Sequence, residues 1–119
     1  MARFLLVLKP ELPAPASALI DGLAPVLDAL HAEVDHRTPG HLGALIRGGH
    51  EGLRTQLFID VQSRADGPEL ELVLMSRESM GQGAPHTLGL FQTMLNLMQQ
   101  HDPSLQLCFR SDRDGALPR

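Results

Sequence analysis

Four histidines, His31, His36, His41 and His50, share residues 31–50 with Glu33 and Asp35. Imidazole with carboxylate is the usual ligand set for zinc and other transition metals. Their spacing forms no His-x-x-x-His on a helix and has no companion cysteine pair. A metal therefore needs His36, His41 and His50 to converge through the fold, with partners orienting each ring. The plainer expectation is a set of surface polar residues and no cofactor.

A second chemistry is anion binding. Ser79 to Ala84 carries Gly81 and Gly83 just ahead of a helix start, where free N–H groups and the helix dipole could hold a phosphate or carboxylate, with Arg77 the nearest cation. The stretch lacks the Gly-Lys-Ser/Thr ending of a phosphate loop and does not follow the first strand as a dinucleotide fingerprint would. Nucleophilic catalysis has less to draw on. Cys108 alternates with Leu107 and Phe109 on a predicted strand, which reads as an inert thiol. Ser79 and His86, with Asp60 or Glu78 as conceivable partners, fit no nucleophile-elbow pattern.

The elements that would position these groups follow from periodicity. Phe4 to Leu8 is apolar without alternation, as in a strand buried on both faces, and Pro10 ends it. Pro13, Pro15 and Ser17 open a helix with Leu19, Leu23, Val26 or Leu27, and Leu30 at three- and four-residue spacing. Pro25 within that pattern predicts either a kink or the start of a second segment running to about Ala32. Residues 33–54 read less clearly: a short strand over Glu33 to Arg37, then a short helix over Pro39 to Arg47 with Leu42, Leu45 and Ile46 inward, stopped by Gly48 and Gly49.

Alternation is plain afterwards. Leu57, Ile59 and Val61 oppose Phe58, Asp60 and Gln62, and Leu70, Leu72 and Leu74 oppose Glu71, Val73 and Met75, around a turn at Ala65 to Pro68. From Thr87 to Gln100, rotation at a helical pitch places Leu88, Leu90, Phe91, Met94, Leu95, Leu97 and Met98 on one half, and Gly89, Gln92, Thr93, Asn96, Gln99 and Gln100 on the other. That polar half carries no formal charge, unlike an ordinary solvated face, and so predicts a covered surface. Leu105, Leu107 and Phe109 make a last strand, and residues 111–119 read as a flexible tail.

Strand, helix, strand, strand, helix, strand is the ferredoxin-like plan, an α+β βαββαβ two-layer sandwich, here with an extended and partly structured connection between the first helix and the second strand. It makes the first and third strands central and the second and fourth edges. The alternative is a five-stranded mixed sheet with three helices. The domain expectation is one α+β unit over residues 1–110.

The chain has 119 residues, a net charge of −4, 43% hydrophobic residues and 3% aromatic residues, with neither Trp nor Tyr. Acidic balance and missing stacking platforms argue against nucleic-acid binding. Nine of the ten basic residues are Arg, which reads as coding bias. A single cysteine excludes an internal disulfide and fits a reducing compartment. The first eighteen residues imitate a secretory leader, but the apolar core Phe4 to Leu8 is five residues long, against roughly 7 to 15 in a leader. No stretch reaches the ~20 apolar residues of a membrane span, so a cytoplasmic protein is expected.

With both helices on one sheet face, the other leaves Phe58, Val73 and Met75 needing a cover. The leading functional expectation is therefore a small non-enzymatic interaction module of immunity, antitoxin or adaptor type. It would self-associate as a homodimer or bind a partner protein through the open sheet face or an edge strand, with Phe58, Val73, Met75, Gln92, Asn96 and Gln99 at interfaces. The alternative is a small-molecule or metal-binding protein or enzyme using the His-rich segment and a cleft on the sheet.

Overall fold

The computed structural model describes residues 1–47 and 53–114. Its strands are β1 (Ala2–Pro10), β2 (Ala32–Thr38), β3 (His41–Arg47), β4 (Arg54–Arg64), β5 (Gly67–Ser76) and β6 (Leu105–Arg110). Helices α1 (Ala16–Asp21) and α2 (Ala24–Ala29) follow β1, α3 (Pro85–His101) follows β5, and a short α4 (Ser111–Asp114) follows β6. The strands form one sheet in the order β2-β3-β4-β5-β1-β6, with every neighbouring pair antiparallel. The architecture is α+β, with α1, α2 and α3 on one face of a six-stranded sheet. Neither the four strands of the βαββαβ plan nor the five of the alternative describes it.

The difference arises in residues 33–47. Leu42, Leu45 and Ile46 fit helical spacing, but Leu42, Ala44 and Ile46 alternate with His41, Gly43 and Leu45, and the alternation wins. Leu42, Ala44 and Ile46 are each at most 3% exposed and face the helices. A helix there would leave β4 an unpaired edge; as a strand, β3 takes seven register pairs with β4, from His41–Asp60 to Arg47–Arg54. β4 is therefore interior rather than an edge. The edges are β2, exposed along nearly its whole length, and β6. The Glu33 to Arg37 strand is present, lengthened to Ala32–Thr38. The glycine stop at Gly48 and Gly49 lies outside the described residues.

Pro25 resolves as the start of a second helix, occupying the first turn of α2, where its missing N–H costs nothing. Ile20, Leu23, Val26, Leu27 and Leu30 turn from these two short helices into the core. α3 contributes Phe91, Met94, Leu95 and Met98, and the sheet contributes Phe4, Leu6, Leu8, Leu57, Ile59, Leu70, Leu72 and Leu74. Phe91 is fully buried and stacks on Phe4 with ring centroids 5.4 Å apart. Among the described residues no helix is long and apolar enough to cross a membrane.

β6 departs from simple alternation. A register shift between Val7 and Leu8 leaves Cys108 unopposed, so Cys108 and Leu107 are exposed, and Leu105 and Arg110 are the buried positions. The residues expected to begin a tail instead form α4: Ser111 Oγ accepts a bond from the Leu5 N–H at 2.9 Å, and Asp114 accepts from the Arg110 N–H at 2.8 Å. Arg110 is 7% exposed, lies 6.0 Å from the Phe91 ring centre and donates two bonds to Asp112, at 3.0 and 2.7 Å. This forked pair satisfies a guanidinium at the edge of the core.

Two outcomes test this packing by urea denaturation. Phe91→Ala is expected to remove about 3–5 kcal/mol of stability. Asp112→Ala is expected to cost about 3 kcal/mol, because it strands a buried guanidinium, whereas Arg110→Met with Asp112→Leu together cost much less.

Candidate functional site

Register partners share a sheet face, so the face away from the helices can be read as rows running across the strands. The central row is Gly43, Phe58, Val73 and Leu5. One step toward the start of β1 lie Leu45, Gln56, Met75 and Arg3; one step the other way lie His41, Asp60, Glu71 and Val7. Leu45, Phe58, Val73 and Met75 are each half-buried, and no described helix lies over them. Leu5 and Val7, beside β6 and α4, are 6% and 3% exposed. An apolar band of this kind on a monomer surface is the usual mark of an interaction site.

The band has charged borders. Arg54 is the register partner of Arg47, with Arg3 and Arg77 exposed at the same end. Asp60 is the register partner of Glu71 beyond the opposite border. A depression of about 650 Å³ opens at the arginine end, lined by Leu45, Gln56, Met75, Arg54 and Arg77 among others.

The His-rich stretch divides between two surfaces. His36 and His41 come together on the open face with ring centres 5.4 Å apart, and His41 stacks at 6.4 Å from Phe58. His41 Nδ1 lies 2.6 Å from Asp60 Oδ1, which ties the imidazole to the sheet. Gly43 makes the corner possible: a Cβ there would stand 3.1 Å from Asp35 Oδ1 and 3.9 Å from the Phe58 ring. His31 is on the helix side, with a left-handed φ of 54°, and His50 lies outside the described residues. Glu33 faces Arg47 at 3.7 Å. Among the described residues no group of three or more His, Cys, Asp or Glu is placed to hold a metal ion.

The glycine loop is organised around its own carboxylate. Glu78 accepts the His86 N–H at 3.0 Å, the Thr87 N–H at 2.7 Å and the Thr87 hydroxyl at 2.7 Å, so it occupies the place an exogenous anion would take at the start of α3. The Gly81 N–H is held by Ser79 Oγ and the Gly83 N–H by the Met80 carbonyl. The Thr87 hydroxyl also meets Ser76 Oγ at 2.6 Å in a buried contact. Gly83 adopts a φ of 82°, and Ala84, at the N-cap, one of 44°, the turn that brings the helix start back to Glu78. Ser79 thus serves the turn, and Asp60, the other partner considered for a Ser79–His86 pair, binds His41.

Partial desolvation by its neighbours raises the exposed Cys108 thiol above its ordinary value, with Lys9 opposing and Glu69 and Asp66 adding to the rise. That is the reverse of what an activated nucleophile needs. Gln92, Asn96 and Gln99 are exposed on α3, on the opposite side of the molecule from Phe58, Val73 and Met75. The six expected interface residues therefore fall on two surfaces, not one.

A separate cleft of about 490 Å³ lies between the end of α2, the start of α3 and the β3 and β4 ends. His31, Arg47, Thr55, His86 and Thr93 line it together with Leu30 and Leu90. Sequence reading gave no sign of it, because its walls come from segments far apart in the chain. No protein-family model matches the chain, and a search of curated proteins finds no match to its sequence.

Glu78 gives the site region a pH signature. Desolvation pushes its carboxyl up, but the bonds from Thr87 and from the His86 and Thr87 N–H groups outweigh this and hold it below the usual carboxylate range. A carboxyl depressed in the folded state stabilises it above the unfolded pKa, and that contribution disappears as pH falls through the folded value. Glu78→Gln is accordingly expected to lower Tm at neutral pH and to flatten the loss of Tm below about pH 5, measured by thermal denaturation across pH.

Proposed function

We propose that this chain is a non-enzymatic protein-interaction module, of the immunity, antitoxin or adaptor kind, acting in the cytoplasm through the open face of its sheet. The observation that carries this reading is the band Leu45, Phe58, Val73 and Met75, half-buried at the centre of a face over which no described helix lies. Its flanking charges make the surface directional, which favours one docking orientation over others. We read the framework as ferredoxin-like, with β6-β1-β5-β4 as its four strands and the β2–β3 hairpin extending the sheet beyond β4. The hairpin widens the open face and adds the His36–His41 corner to it.

Val73→Glu tests this, because a carboxylate placed in the central row disfavours any apolar contact there while leaving the helix-side core untouched. A tagged chain in extract from its native cell is expected to capture a protein, either its own untagged copy or another chain, that the equally folded Val73→Glu bait loses. Capture that Val73→Glu leaves intact counts against the face.

A second reading rests on the cleft between α2 and α3, lined by His31 and His86 together with the apolar Leu30, Ile46 and Leu90, a fit for a small anionic ligand. A ligand that binds only the folded chain must raise its midpoint. Under this reading, inorganic phosphate or a divalent metal raises Tm in wild type and does so less in His31→Ala. An unchanged Tm across both probes removes the reading.

A further inference from the structure

We infer that the open face docks on a second copy of this chain, through a two-fold axis that lies between the sheets and runs across the strands along the Gly43–Phe58–Val73–Leu5 row. This rests on the reading of that face as an interaction surface and names its partner.

The charges select the partner. Arg47 and Arg54 oppose each other directly across β3 and β4, and Asp60 and Glu71 do so across β4 and β5. Like charges directly opposite one another destabilise a sheet. Here two such pairs of opposite sign lie on one face, on either side of an apolar row. Partial relief comes from within the chain: Glu33 lies 3.7 Å from Arg47, His41 2.6 Å from Asp60, and Arg64 3.7 and 3.4 Å from Glu69 and Glu71. Arg3, Arg54 and Arg77 are exposed at one end with Asp35 beside them, while at the other Arg64 is shared between Glu69 and Glu71 and Lys9 pairs with Asp66, so arginine still predominates at the first end and carboxylate at the second.

A two-fold axis along the central row returns that row onto itself and exchanges the ends. Phe58 and Val73 of one copy then meet Phe58 and Val73 of the other. The arginine end of each sheet lies over the Asp60, Glu69 and Glu71 end of its mate, so one self-complementary patch is satisfied twice. An axis along the strands would instead oppose arginine to arginine.

Leu5 and Val7 are already covered beside α4, so β2 to β5 carry the contact; four strands spaced about 4.8 Å apart, with about seven residues of each at about 3.3 Å, present roughly 450 Å² per copy, the size of a weak, concentration-dependent dimer.

The test uses the purified full chain, with light scattering over a concentration series and at low and high sodium chloride. The expected result is a dimer that weakens as salt rises. Arg54→Glu with Arg77→Glu makes both ends of the face acidic, and Glu69→Arg with Glu71→Arg makes both ends basic. Each double variant alone is expected to dimerise at least about tenfold more weakly, and an equimolar mixture to restore a one-to-one dimer. The wild-type salt dependence reads the same complementarity without any substitution.

A monomer at all concentrations overturns the inference, as does a dimer that survives Val73→Glu, or one that tightens with salt. If the purified chain is monomeric while Val73→Glu still abolishes capture from extract, the second copy is wrong and the face is right. If capture is also indifferent to Val73→Glu, both fall.

Discussion

The helices α1, α2 and α3 all pack against the same face of the six-stranded antiparallel sheet. The other properties of the molecule follow from that asymmetry. On the helix side, Leu and Ile from every interior strand meet Phe91 and Met94 in one apolar cluster. On the far side the same strands must present side chains that tolerate water, and they do so only in part: polar and charged rows border an apolar centre. β2 touches the helix layer at its start, where Ala32 packs against the core, but Val34, on the helix-facing side of the same strand, is 49% exposed. The ion pair of Arg37 with Asp21 at the end of α1 adds a tie farther along the strand.

Polar satisfaction is handled locally wherever the helix layer ends. Glu78 supplies the start of α3 with acceptors from within the preceding loop, and Asp112 and Asp114 supply Arg110 from the turn after β6. Among the described residues, no buried side-chain nitrogen or oxygen lacks a hydrogen-bond partner. The glycine loop, which resembles an anion site in sequence, is thus occupied by the chain's own groups. The remaining charged side chains border the open sheet face, where Arg47 meets Arg54 and Asp60 meets Glu71.

The elements with a strong period were legible from residues alone: the two-sided first strand, the β4–β5 hairpin and α3. Pro25 announced a break, and the structure sets a second helix there. Residues 39–47 are ambiguous in sequence because Leu42, Leu45 and Ile46 satisfy helical spacing while Leu42, Ala44 and Ile46 satisfy strand spacing. Only a paired neighbour, β4, decides between them. The same hairpin separates His31 from His36 and His41, which no linear spacing reveals. Glu78 as the cap of α3 was hidden for another reason: it precedes the helix by a whole loop, whereas capping signals lie within a few residues of the start. Phe58, Val73 and Met75 could be assigned to a shared face by period-two counting, but the opposed like charges around them needed the register.

The outermost strand pairings, β2 with β3 and β1 with β6, each contain a register shift, while the three pairings between them run without one. A kinked border is a poor template for a further strand, since the rows of free N–H and C=O groups fall out of step with any straight neighbour. Glu33, Asp35 and Arg37 reinforce this on one side with charge. Growth of the sheet by adding strands edge to edge, the route toward fibres, is thereby disfavoured at both ends of the sheet. A sheet with an exposed apolar face can therefore remain a discrete particle.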